Sequence, residues 1–264
     1  MLTNLIKNSI KQGYFKVMFS KIFKRFEKNT TSQATRWAKK NVGLSTEDFC
    51  KLIDKDLWNE TIFEMRVLEK DAENILSKIN FSLGGGGNYY LLYFLIRKTS
   101  PKIVVETGVA AGWSSLCILR AFKKSGFGKL YSSDFPYFRL KDPEKYIGVI
   151  AKKETNLHSW DLDFRGDKIS LPSIKSKLGK GKIDLFHYDS DKSYSGRLMA
   201  INILKETLSK NAIIIFDDIQ NNMHFHDFVK KEKIPFSVLE FEEKYIGIAS
   251  NLDILKSTTL NKRF

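Results

Sequence analysis

The sequence predicts an α/β fold, a doubly wound and mostly parallel seven-stranded sheet with helices on both faces, closed by a C-terminal antiparallel hairpin strand. Three observations predict it. From residue 102 onward, short β-branched and aromatic runs alternate with helical stretches, and five such strand–helix units imply parallel strands joined by crossovers. The last two strands are separated only by Glu242-Glu243-Lys244, too short for a crossover, so they pair as a hairpin. Residues 1–80 carry no strand pattern and read as a helical extension.

Strands are expected at 102–107, 129–133, 158–162, 183–188, 212–216, 236–241 and 245–249. Helices fall between them at 113–124, 143–155, 171–178, 194–209 and 223–232. Upstream, helical stretches cover roughly 34–56 and 58–80 after a polar break at 29–33. This divides the chain into an extension (1–80), an α/β domain (81–255) and a tail (256–264). The 264 residues suit one α/β domain with an extension, and 42% hydrophobic content is enough for a packed core.

Composition removes several classes of function. Cys50 and Cys117 stand far apart, so neither a disulfide framework nor a cysteine zinc site is present. No run of 18 apolar residues exists to cross a membrane, and lysines interrupt the start too often for a secretory signal. The two unpaired cysteines suit a reducing cytoplasm. The net charge is +14, but residues 1–40 hold ten Lys/Arg against one acid, Glu27, a local +9. A basic arm on a nearly balanced body does not mark the body as a nucleic-acid binder. From Leu5 to Phe26, apolar residues recur at helical spacing between lysines. Two readings of this amphipathic helix stay open: packing on the body, or peripheral contact of residues 1–28 with anionic membrane.

The first strand runs into IVVETGVAAGWSSL. Gly108 lets the chain turn sharply at the strand end, and Gly112 lets the next helix approach closely. The spacing is E-x-G-x-x-x-G, and an acid before the turn, Glu106, would repel a pyrophosphate but favours a cationic ligand. The second strand ends in LYSSDFP, and Asp134 stands about 20 residues past the loop, where an acid accepts ribose hydroxyls. After the third strand, Asp167 and Lys168 open a helix near the expected adenine; capping alone would also explain Asp167. Gly84–Gly87 read equally well as a hinge or as a flap over the ligand.

These segments carry a resemblance. LGGGGNYYLLYFLIRKTSPKIVVETGVAAGWSS, LYSSDFP, IDLFHYDSDKSY and AIIIFDDI, in order over about residues 80–250, look like the methyltransferase-24 type family of S-adenosylmethionine-dependent enzymes. That family is related to catechol and caffeoyl-coenzyme A O-methyltransferases. The resemblance implies a Rossmann-like class I fold and a cofactor site with Glu106, Gly108, Gly112, Asp134 and Asp167. It also implies a divalent cation, Mg²⁺ or Mn²⁺, held by Asp189, Asp217 and Asp218, with Lys192 as general base and Asp189 beside it. Asp218 stands where the catechol-type pattern usually has Asn, and Lys192 where closer relatives often have His.

The residues alone support the same end of the sheet. Acids close two strands, at Asp189 and at Asp217-Asp218, and three carboxylates meeting in one crevice need protons or a cation. Loop hydrogen bonding without metal is the competing account. His187 reads as a structural strand residue with a small site role left open by its closeness to Asp189. His224 and His226, two apart, do not share a helix face and make no metal pair. The expected chemistry is one in-line methyl transfer to a small hydroxylated acceptor: a sugar, a glycan precursor or a phenol. The rivals are a nucleic-acid or protein methyltransferase using the basic arm, a non-catalytic cofactor-binding protein and an NAD-dependent oxidoreductase, the last disfavoured by the glycine spacing. The oligomeric state stays open.

Overall fold

The structure is a computed structural model of the chain and describes residues 27, 29–137, 140–154 and 157–253. The amphipathic segment 5–26 and the 256–264 tail lie outside the described residues.

Elements follow in the order α1 (Thr31–Asn41), β1 (Val42–Ser45), α2 (Thr46–Leu76), α3 (Tyr89–Thr99), β2 (Ile103–Thr107), α4 (Trp113–Ser125) and β3 (Lys129–Ser133). Then come β4 (Trp160–Asp163), α5 (Asp167–Leu178), β5 (Ile183–Tyr188), α6 (Tyr194–Leu204), β6 (Leu208–Phe216), α7 (His224–Glu232), β7 (Phe236–Phe241) and β8 (Lys244–Ala249). One sheet runs β1-β7-β8-β6-β5-β2-β3-β4. Pairing is parallel except for β6–β8 and β7–β8. The expected hairpin forms, and Glu242 and Glu243 both take positive φ, the geometry of a two-residue turn that matches strand twist.

Helices cover both faces. Leu91–Ile96 of α3 and Leu116–Leu119 of α4 pack with Met65 and Leu68 of α2 over one face. Leu171 and Ile174 of α5, Ala200 and Leu204 of α6, and Phe225 and Val229 of α7 cover the other. The strand interiors, VVET in β2 and LFHY in β5, are buried throughout, which is why they read as continuous runs rather than alternating ones.

The sheet has eight strands where the sequence predicts seven. The extra one, β1, lies in the extension and adds in parallel to β7 at the edge. Its four residues fall between α1 and α2 inside a pattern read as continuous helix. The predicted polar break at 29–33 instead contains the first turn of α1. The break expected after residue 56 is a kink at Asp54 (φ −164°), whose carboxylate caps Leu57 N–H at 3.0 Å and meets Lys98 at 2.8 Å.

The largest departure is 143–155. No regular helix forms; two 3₁₀ turns, Pro143–Lys145 and Ala151–Lys153, flank a loop. The N–H groups of Gly148 and Ile150 donate to the carbonyls of Ala110 and Ala111, at 2.8 and 3.1 Å. These donors hold the first turn after β2 and so are lost to an intrahelical ladder.

Candidate functional site

Strand order reverses between β2 and β5, and the carboxyl ends of these two central strands open the crevice where ligands sit in doubly wound sheets. Asp189 N–H donates to Thr107 C=O at 3.0 Å, fastening the two ends together.

The turn after β2 is clamped from every side. Asp134, at the end of β3, accepts Val109 N–H (2.9 Å), Ala110 N–H (2.6 Å) and its neighbour Phe135 N–H (2.5 Å). Burial pushes its carboxyl up to about 6 even though these three donors favour the charged form. Gly112 (φ +104°) lies against the 148–151 loop, and a Cβ there would stand 2.8 Å from Gly148 Cα. The close approach at Gly112 is thus with this loop, where the sequence reading expected the next helix. Gly108 packs on the Asp189 carbonyl across the switch point.

Glu106 lies beneath the turn, fully buried, and not in open space beside it. Hydroxyls of Ser114 (2.8 Å), Ser132 (2.6 Å) and Ser115 donate to its carboxylate. Burial dominates, and its carboxyl is pushed up to about 7. Glu106 therefore anchors the start of α4 to β2 and β3. Asp167, first residue of α5, accepts from Ser133 (2.6 Å) and Ser190 (2.5 Å), tying the ends of β3 and β5 together.

On the other side of the crevice, Asp189 and Asp217 converge with His187. One ligand atom from each lies within 4.8 Å of the others. Asp217 is buried, and burial together with the Asp189 charge holds its carboxyl well above the usual carboxylate range. Burial pulls the His187 imidazole down to about 4, so the ring is neutral. Asp218, the third acid named from the sequence, is not in this group. Its Oδ2 faces Lys192 Nζ at 3.1 Å, and its Oδ1 accepts from Gln220 at 3.3 Å. Lys192 also bonds Asp189 Oδ1, so it bridges two acids. Burial alone would lower the Lys192 pKa, but Asp189, Asp217 and Asp218 outweigh it and keep the amine protonated.

One contributor, Arg197, escaped the sequence reading. Arg197 of α6 is fully buried and donates to the main-chain carbonyls of Asp217 and Asp218 at 2.8 and 2.9 Å. It fixes the Asp217 and Asp218 peptides without occupying their carboxylates. Gly87, the last of the four glycines, has its Cα against Asp217 Oδ2, where a Cβ would collide. That contact sets the end of the glycine run against the acids. His224 and His226 separate: His224 stacks on Phe228, and His226 pairs with Asp227 at 2.7 Å.

The family model described as a methyltransferase domain matches residues 105–219, a stretch that includes Glu106 and Asp218. Over these residues the chain carries a methyltransferase domain. No curated protein matches the sequence. Solved structures with the same fold include a methyltransferase from Geobacter sulfurreducens, 18% identical with TM-score 0.52, over 69% of this chain and 89% of that one. The O-methyltransferase TomG from Streptomyces achromogenes, involved in tomaymycin synthesis and solved with S-adenosylmethionine, is 15% identical with TM-score 0.53, over 69% and 88%. An O-methyltransferase from Bacillus cereus solved with S-adenosylhomocysteine is 15% identical with TM-score 0.54, over 70% and 90%. At these identities the likeness establishes the fold.

Among the described residues, no helix of the methyltransferase is long and apolar enough to cross a membrane.

Proposed function

We propose that this methyltransferase moves the methyl group of S-adenosylmethionine onto a hydroxyl of a small acceptor, with a sugar, a glycan precursor or a phenol as the fitting classes. One observation carries the reading. The clamped 106–112 turn with Asp134 meets Asp189, Asp217 and Lys192 at the switch point, under Gly87. The fold shared with O-methyltransferases from Streptomyces achromogenes and Bacillus cereus supports oxygen as the acceptor atom. Within this reading, residues 81–255 form the catalytic domain, and the 1–80 extension completes its sheet through β1.

S-adenosylmethionine, when bound, supplies an electrophilic methyl on a sulfonium. Asp134 receives a ribose hydroxyl: a carboxylate has about four acceptor positions, and three N–H groups leave room for one more donor. Gly108 and Gly112 shape the turn on which the cofactor lies, Glu106 supports it from below, and Asp167 borders the adenine. These residues belong mainly to β2, β3 and α5, whereas the acceptor side belongs to β5 and β6.

The donor set at the acceptor side fits a divalent ion, with Asp189 and Asp217 holding it beside a neutral, buried His187. Such an ion would supply charge neutralisation and Lewis acidity toward the acceptor hydroxyl. Lys192 is the general base once the acids around it are neutralised and its ammonium can release a proton. The bridge from Lys192 to Asp189 and Asp218 favours a second assignment when no ion is present. Lys192 then remains a cation that orients the acceptor, and Asp189 takes the hydroxyl proton.

Titration with S-adenosylmethionine and with NAD tests the cofactor; saturable binding of NAD alone overturns the reading. Chelation tests the ion. Loss of methyl transfer with cofactor binding retained, restored by Mg²⁺ or Mn²⁺, supports ion assistance with Lys192 as base. Full activity in excess chelator, with no metal by elemental analysis, removes the ion and leaves Asp189 as base.

A further inference from the structure

The acid cluster holds a donor that the methyl-transfer reading leaves unused. His187 sits on β5 two residues before Asp189 and is 1% exposed. Its Nε2 lies 4.0 Å from Asp217 Oδ2, and its buried Nδ1 has no hydrogen-bond partner. A buried ring nitrogen without a partner costs stability, which an apolar residue at this strand position would avoid. The imidazole is also the one nitrogen donor in a group whose other members are the carboxylates of Asp189 and Asp217, all within 4.8 Å. Around an ion with bonds of roughly 2.0–2.2 Å, donors stand about 3–4 Å apart, so side-chain rotations of about 1 Å close the group.

Asp218 is committed elsewhere. It meets Lys192 at 3.1 Å, Gln220 at 3.3 Å and Lys244 at 4.0 Å. An ion drawn to the His187 group leaves that pairing intact. Arg197, bonded to main-chain carbonyls, occupies no carboxylate oxygen, and Lys192 takes only Oδ1 of Asp189.

We propose that the divalent-ion site of this chain is a mixed nitrogen–carboxylate site built from His187, Asp189 and Asp217, with Asp218 outside it, and that it selects Mn²⁺, Fe²⁺ or Co²⁺ over Mg²⁺ and Ca²⁺. Imidazole suits transition ions, whereas Mg²⁺ and Ca²⁺ prefer all-oxygen sets. The inference rests on the ion half of the proposed function and decides which residues hold the ion and which metal they take.

The test uses the full chain without substrate. Equilibrium dialysis with elemental analysis measures Mn²⁺ and Mg²⁺ binding, and pulsed electron paramagnetic resonance on ¹⁵N-histidine-labelled, Mn²⁺-loaded protein reads nitrogen coordination directly. We expect one Mn²⁺ per chain, weaker Mg²⁺ binding and a histidine nitrogen coupling in the unmodified protein. His187→Gln should abolish the coupling and weaken Mn²⁺ by about tenfold or more, while Asp218→Asn leaves Mn²⁺ affinity within about twofold. Unchanged S-adenosylmethionine binding serves as the folding control for both variants. Mn²⁺ bound without nitrogen coupling, and weakened by Asp218→Asn, overturns the proposal in favour of three carboxylates and leaves the ion half of the function standing. Failure to bind any divalent ion overturns both, and chelator-resistant methyl transfer would then show that the methyltransferase reading itself survives.

Discussion

Glu106 offers a perturbation whose size follows from its surroundings. Its carboxyl is completely buried under the cofactor turn, and burial outweighs three serine donors to push it up to about 7 from an ordinary 4.5. A folded-state pKa raised above the unfolded one contributes stability that is fully present below the unfolded value and is lost as pH rises through the folded value. The window is therefore pH 4.5 to 7. Integrating the two titrations from pH 5 to pH 8 gives a loss of roughly 2–3 kcal/mol from this one group. Glu106→Gln keeps shape and hydrogen-bonding capacity but cannot ionise, so its stability should fall less over the same range by about that amount. Asp134, pushed up to about 6, supplies a slope of the same sign that both proteins share. Urea midpoints at pH 5, 6, 7 and 8, at constant ionic strength, measure the difference. Parallel profiles for the two proteins would refute the reasoning, because the serine hydroxyls would then be stabilising an ordinary carboxylate throughout.

The remaining predictions concern the turn, the base and the arm. Gly112→Val, with its Cβ driven against Gly148, should eliminate saturable S-adenosylmethionine binding in calorimetry; a normal isotherm would detach the 148–151 loop from cofactor binding. Lys192→Ala should keep the cofactor dissociation constant but lower kcat by on the order of 10²–10⁴, the share of a positioned general base; a kcat within a few-fold of wild type removes Lys192 from proton transfer. The basic arm should bind anionic vesicles with an affinity that falls as salt rises, and removing residues 1–26 should abolish it. The cut stops at 26 because Glu27 accepts the N–H groups of Tyr194 and Ser195 (3.0 and 3.3 Å) at the start of α6. Salt-insensitive or absent vesicle binding by the full chain would assign the arm to packing or to a partner.

What the sequence determined by itself was local. Strand and helix periodicity set the alternation from residue 102 onward, and Glu242-Glu243-Lys244 was too short for anything but a hairpin. The ETGVAAG turn, Asp134 and the Asp189 and Asp217 strand ends could be named because each sits at a fixed offset from a strand that its own residues specify. The tertiary structure decided what depended on partners distant in sequence. Residues 143–155 have helix-forming content, yet two of their N–H groups are taken by the turn at 110–111. β1 became a strand only because β7 offered it an edge. Glu106 became a buried anchor because Ser132, on the neighbouring strand, and the start of α4 closed over it. For the same reason His187, and not Asp218, stands beside Asp189 and Asp217. Neighbours in sequence, Asp217 and Asp218 diverge in space: one stays buried at the strand end beside His187, while the other, at φ +53°, begins the next turn facing Lys192. A spacing rule assigns a residue to a strand end; only the backbone torsion past that end decides which way its carboxylate is sent.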